Sequence, residues 1–327
     1  MQRIKNKNIF RQFIKTELPY EYLAARLKGR KTNITRKWDV ILSSDSPADT
    51  LLLTRYKLMH ETSKNISEDF LNKELFWLYK QMNFKLRQNF FPLFFYFELR
   101  KIIACLRLKQ SEEEKYRIQN ILKYSLLSKQ VQHLLTDENS FDYTIKNLLS
   151  YLIYCFPLYE KLLKIIESSY FQKQIEQALY ELFFYSIKKI NIHPAVKKYL
   201  IFNIDSINIL ALYKSLGYSE KTIRFIKGGF IDINKFYTAL EKGSYQDLKK
   251  ICALFRPRAL EEYDINYIEN FLLNGLLEKS TQLYRQYSDI GFILYYITLV
   301  LVEAKYSSLI IYGQNIEKSI LQNELNL

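Results

Sequence analysis

The chain has 327 residues, long enough for two or three packed units that each bury a core. Its 8 glycines and 6 prolines, against 27 tyrosines and 22 phenylalanines, suit long helices joined by short loops and exclude a turn-rich barrel or sandwich. A formal charge of +14 favours an anionic partner, but no basic run interleaves with aromatics, so charge does not choose among nucleic acid, an acidic protein and a lipid surface.

The N-terminal "MQRIKNKNIFRQFIK" is basic and lacks the apolar stretch and cleavage site of a signal peptide. An irregular segment is expected at 43–50. "SEDFLNKELFWLYKQMNFKL" then predicts a helix capped by Ser67, with Phe70, Leu71, Leu75, Leu78 and Met82 at helical spacing. Loops at 136–140 and 190–195 bracket a helix over about 169–190, with acids early and lysines late as the helix dipole prefers. "FNIDSINILALYKSLGYSEK", 202–221, reads as a helix end, a stop at Gly217 and a cap at Ser219. Irregular segments at 226–232 and 254–259 precede a third long helix from about 264. "GFILYYITLVLV", 291–302, ends at Glu303 and Lys305, short of the ~20 apolar residues of a membrane span. It predicts a buried helix in a soluble, cytoplasmic protein.

Cys105, Cys155 and Cys252 follow no CxxC spacing and lie in apolar runs, as buried thiols of a reducing compartment do. His60, His133 and His193 are scattered, so neither a metal set nor a Cys/His nucleophile pair is proposed. With no Gly-rich phosphate loop either, the sequence offers no catalytic residue and no cofactor site.

One pattern recurs. Glu98 follows an aromatic run, with Arg107 nine residues on and Ser111 as a cap in a box with Glu114. Asp205 has Lys214 at plus nine and Ser219 as its cap; Glu303 has Tyr312 at plus nine and Asn315 as its cap. Gly217 and Gly313 are expected as left-handed stops. The acids are 107 and 98 residues apart, which suggests three similar helical subdomains near 1–110, 111–218 and 219–327.

Nine residues are about two and a half helical turns, so acid and plus nine point to opposite sides. Position plus three shares the acid's face and is Lys101, Asn208 and Tyr306, each a hydrogen-bond donor. A carboxylate on an apolar face needs such donors, because an unpaired buried charge is costly. Two readings stay open: the acids fix how helices and loops join, or they line a concave surface that meets basic groups of a partner. Proton transfer lacks a second acid, histidine or metal beside any of them.

At these residues the chain resembles the V-type and A-type ATPase central-stalk adaptor family, the C subunit of bacteria and archaea and the d subunit of eukaryotes. "YEYLAARLKGRKTNITRKWDVILSSDSPADTLLLTRY" is similar to its opening, with Tyr22, Ala25 and Arg26 on a first helix, Leu42, then a helix ending in Tyr56. "IDSINILALYKSLGYSEKTIRFIKGGFI" is similar to its acid, Asn, basic segment and Gly-rich turn, through Asp205, Asn208, Lys214, Gly228 and Gly229. "ITLVLVEAKYSSLIIYGQNIEKSILQNEL" resembles its closing helix, with Glu303 at the acid position and Tyr306 and Tyr312 where the family carries polar or basic groups.

The resemblance implies an all-α protein of three subdomains arranged as a funnel. It implies a non-catalytic subunit without a small-molecule substrate, peripheral on the cytoplasmic face of a membrane. Its partners would be the central-stalk shaft subunits and the membrane proteolipid ring. The rival reading is a basic helical module that binds nucleic acid or another protein.

Overall fold

The computed structural model describes residues 9–13, 18–35, 37–54, 56, 66–111, 115–156, 160, 171–216, 223–258, 260, 264–313, 321–322 and 325. Among them the protein is all-α, with no strand beyond an isolated bridge between Phe10 and Leu127. The helices are α1 (Tyr20–Thr32), α2 (Trp38–Ser43), α3 (Pro47–Leu52), α4 (Ile66–Gln81), α5 (Phe84–Gln110), α6 (Lys115–Leu122) and α7 (Lys129–Thr136). They continue as α8 (Phe141–Cys155), α9 (Phe171–Lys189), α10 (Pro194–Leu216), α11 (Ile233–Lys242), α12 (Tyr245–Phe255), α13 (Ile265–Gln286) and α14 (Ser288–Tyr312). Each acid-bearing helix, α5, α10 and α14, is preceded by a shorter one: α4, α9 and α13.

Short polar side chains start many of these helices by accepting a bond from an otherwise unsatisfied N–H of the first turn. Asn83 accepts from Leu86, Ser128 from Val131, Ser140 from Tyr143, Asp232 from Asn234, Ser244 from Gln246 and Asp264 from Asn266. Several details differ from the sequence expectations. Pro47 opens a helix inside the segment read as irregular, its fixed φ suiting the first helical position. Helix α4 starts at Ile66, which puts Ser67 inside the first turn. Ser111 closes α5, donating back to Leu108 O; its box partner Glu114 lies outside the described residues. Gly313 has φ −88°, so α14 ends without a left-handed residue. His60, Gly217, Ser219 and Asn315 also lie outside the described residues.

The chain divides into two compact units that interleave along the sequence. The first comprises residues 1–17 and 78–193, and its core is aromatic. Phe95 packs on Phe156 at 5.3 Å and on Phe183 at 5.8 Å, with Tyr96 stacked on Phe183 at 5.9 Å. Such rings bury large area per residue and lock α5 against its neighbours.

The second unit comprises residues 18–77 and 194–327. In it α13 and α14 form a close hairpin: a Cβ at Gly291 would lie 2.2 Å from Leu283 O, so only glycine lets the backbones approach this far. Trp38, Leu42, Leu51 and Tyr56 from the early chain pack with Val302, Tyr306 and Ile310 of α14. Tyr56 sits in the turn beyond α3, which ends at Leu52. By length and composition α14 could cross a membrane, but 72% of its most apolar window is buried inside the protein. The three cysteines are free and buried, and burial pushes their thiols up, Cys105 and Cys252 to about 12 and Cys155 to about 11.

Candidate functional site: three buried carboxylates that pin loops

Glu98 on α5 is 2% exposed. Its Oε1 accepts from Lys101 Nζ at 2.9 Å, one turn along the same helix. Its Oε2 accepts from Ser125 Oγ at 2.5 Å, and Ser125 Oγ in turn accepts from Leu127 N at 3.1 Å. The carboxylate thus neutralises a buried ammonium and anchors the loop that leads into α7.

Asp205 on α10 is 1% exposed, and its hydrogen-bond partners among the described residues are backbone N–H groups. Its Oδ2 accepts from Phe230 N at 2.8 Å and its Oδ1 from Ile231 N at 3.3 Å, just ahead of α11. The Asn208 amide hydrogen-bonds the turn instead of the acid. It reads the same turn in both directions, donating to Ile226 O at 2.9 Å and accepting from Ile226 N at 2.8 Å. Gly228 takes φ 106°, and a Cβ at Gly229 would fall 1.9 Å from Asp205 Oδ1, so both glycines of the turn are needed. Burial pushes the Asp205 carboxyl up to about 6, the two N–H bonds offsetting only part of the desolvation.

Glu303 on α14 is 1% exposed, and its Oε1 accepts from Thr35 N at 2.9 Å, in the loop that leads into α2. Tyr306, three residues on, exchanges hydrogen bonds with the Asn274 side chain at 3.3 and 3.4 Å and meets Trp38 edge-on at 5.4 Å. The three acids therefore share one geometry: each sits inside a long apolar helix and holds a loop that precedes a short helix. The first two loops lie 25 to 27 residues after their acids, and the third comes from the opposite end of the chain.

The plus-nine positions are not drawn into these joints. Arg107 forms a bidentate pair with Glu176 across to α9, while Lys214 and Tyr312 are exposed. Sequence reasoning missed the loop partners Ser125 and Thr35, for which no local signal exists. It also missed a polar clasp in the second unit. There Glu74 takes Arg30 Nε at 2.8 Å, Arg30 Nη2 at 2.5 Å and Tyr296 Oη at 2.6 Å, with the Arg30 guanidinium 4.0 Å over the Trp77 ring. Among the described residues no cluster of His, Cys, Asp or Glu could hold a metal ion.

Chemically the arrangement suits holding and positioning: each acid spends oxygens on backbone or hydroxyl donors of its own chain. A search of the curated proteins found no match. The family model described as ATP synthase (C/AC39) subunit matches residues 53–313, a span that includes all of α4 to α14 and the three acids. The match extends over most of the chain, and the protein belongs to this family of rotary-ATPase subunits.

Proposed function

We propose that the chain is the non-catalytic rotor adaptor of a V/A-type ATPase, seating the central shaft on the membrane proteolipid ring and turning with both. The family match over residues 53–313 carries this reading. In it the protein is peripheral on the cytoplasmic face, and torque passes through it between the ATP-hydrolysing head and the ion-carrying ring. Three helical subdomains near 1–110, 111–218 and 219–327 would then form a funnel. The acid of each pins a loop of the next, and Glu303 closes the series on Thr35 of the first. Such joints suit a part that must pass strain without yielding, since packed interiors are poorly compressible.

Co-expression with a coiled-coil shaft protein and the proteolipid of the ring is the test. The expected result is a complex with both that survives size-exclusion chromatography. Failure to contact either partner overturns the proposal, as would steeply salt-dependent binding to DNA or RNA in their place.

A further inference from the structure

Residues 9–13 are held in the first unit the way a bound peptide is held. Arg11 N donates to Leu126 O at 2.8 Å and Ser128 N donates to Ile9 O at 2.8 Å, an antiparallel pairing centred on Phe10 and Leu127. The Phe10 ring enters a box formed by Tyr79, Phe91 and Phe95, with centroids at 5.4, 4.9 and 6.4 Å. Ile9 and Phe10 are both buried. The Arg11 guanidinium then donates to Leu127 O at 3.4 Å and to Gln132 Oε1 at 3.2 Å.

The receiving edge is built by residues outside the arm. Glu98 anchors Ser125, which accepts from Leu127 N; Gln132 Nε2 donates to Leu127 O at 2.6 Å; and Ser128 caps α7 through Val131 N. A preorganised backbone edge beside an aromatic pocket is the receptor half of recognition by strand addition, in which main-chain bonds supply affinity and a side-chain pocket supplies selectivity. The arm is the ligand half, supplied by the same chain. It is also an extended segment tied to the unit by a few backbone and side-chain bonds, the kind that opens at lower cost than the fold as a whole.

We propose that this groove is a docking site for an extended segment carrying an aromatic residue followed by a cation, and that the chain's own residues 9–13 are a strap that closes it. A partner protein with such a segment displaces the strap. The inference does not depend on the rotor reading. Tethering gives the arm an effective concentration on the order of millimolar, so an outside segment competes only when the arm is weakened or its own affinity is high.

The probe is a fluorescein-labelled peptide with the sequence of residues 8–13, Asn-Ile-Phe-Arg-Gln-Phe, titrated into the full-length chain and followed by fluorescence polarisation. The Phe10→Ala chain is expected to remain folded by circular dichroism and to bind the peptide at least tenfold more tightly than the wild type. An Arg11→Ala chain should show a smaller gain, and a peptide with Ala in place of Phe should bind none of the chains. Three results overturn the proposal: a Phe10→Ala chain that unfolds, which would make the arm integral core; a folded one that takes up no peptide; or equal uptake by wild type and variant.

Discussion

The Glu98 joint and the Asp205 joint perform the same task with opposite electrostatics. Both carboxylates are at most 2% exposed and both hold a loop that enters a short helix. Glu98 has a buried ammonium beside it and a hydroxyl in front, so its charge is compensated within its own helix. Asp205 accepts from two peptide N–H groups, and burial dominates over them and lifts its carboxyl to about 6. A buried carboxylate can thus be held by a neighbouring charge or by backbone N–H groups, and at Asp205 the N–H groups offset only part of the desolvation.

Removing charge compensation should produce the largest effect. Glu98→Ala leaves Lys101 as a buried, unpaired cation and should cost about 3–5 kcal/mol in urea unfolding. Adding Lys101→Met should recover much of that loss, because an apolar replacement of both partners is often close to neutral. A single variant that costs under ~1 kcal/mol, or a double variant no better than the single, would refute the compensated-pair account. Gly229→Ala comes next, at about 3 kcal/mol, since its Cβ would collide with Asp205 Oδ1 and must expel the carboxylate from the turn. In an Asp205→Ala background the same substitution should be markedly cheaper, and strict additivity of the two would show that the collision is not its cause.

The pH dependence sharpens the contrast. The folded Asp205 carboxyl holds its proton to about pH 6, against 3.8 when unperturbed, so the folded state binds the extra proton in between. Its contribution to stability is fully present below about pH 4 and is lost as the pH rises through 6. Asp205→Asn cannot follow that titration. Its deficit relative to wild type should therefore be larger at pH 4.5 than at pH 7.5, by about 2 kcal/mol in denaturant titrations. A deficit that grows with pH would contradict the burial-dominated account.

How much of this was legible in the sequence depended on whether the cause was local. Helix content, the three acids and the Gly-rich turn at 228–229 all follow from residue type and spacing, because periodicity and backbone permissiveness act over a few residues. Ser125 and Thr35 look like any loop hydroxyl residues; only the packing of a distant helix makes one a donor and turns the backbone of the other toward Glu303. The expectation of a donor at plus three met three different outcomes. Lys101 reaches its acid, Asn208 reaches the acid's loop, and Tyr306 turns to Asn274, since the shared face fixes direction but not which neighbour arrives there. The interleaving of the two compact units was invisible for the same reason, being set by long-range packing.

The smallest stability effects should come from the plus-nine positions, where they separate the two readings of the recurring pattern. The Arg107 side chain is 66% exposed, and its pair with Glu176 lies at the surface, so Arg107→Ala should cost under ~1 kcal/mol. Lys214→Ala and Tyr312→Ala should be milder still, because exposed substitutions away from caps and strained backbone seldom exceed ~0.5 kcal/mol. If these side chains meet the shaft or the ring, the triple variant should melt like the wild type yet lose affinity for one of them in the co-expression assay. Unchanged assembly would leave the acids as internal joints and place the contact surface elsewhere. A lowered melting point together with weakened assembly would mean that Arg107 and Glu176 brace α5 against α9 more strongly than an exposed pair should, which would bring the outer face of α5 into the same mechanical role as its buried acid.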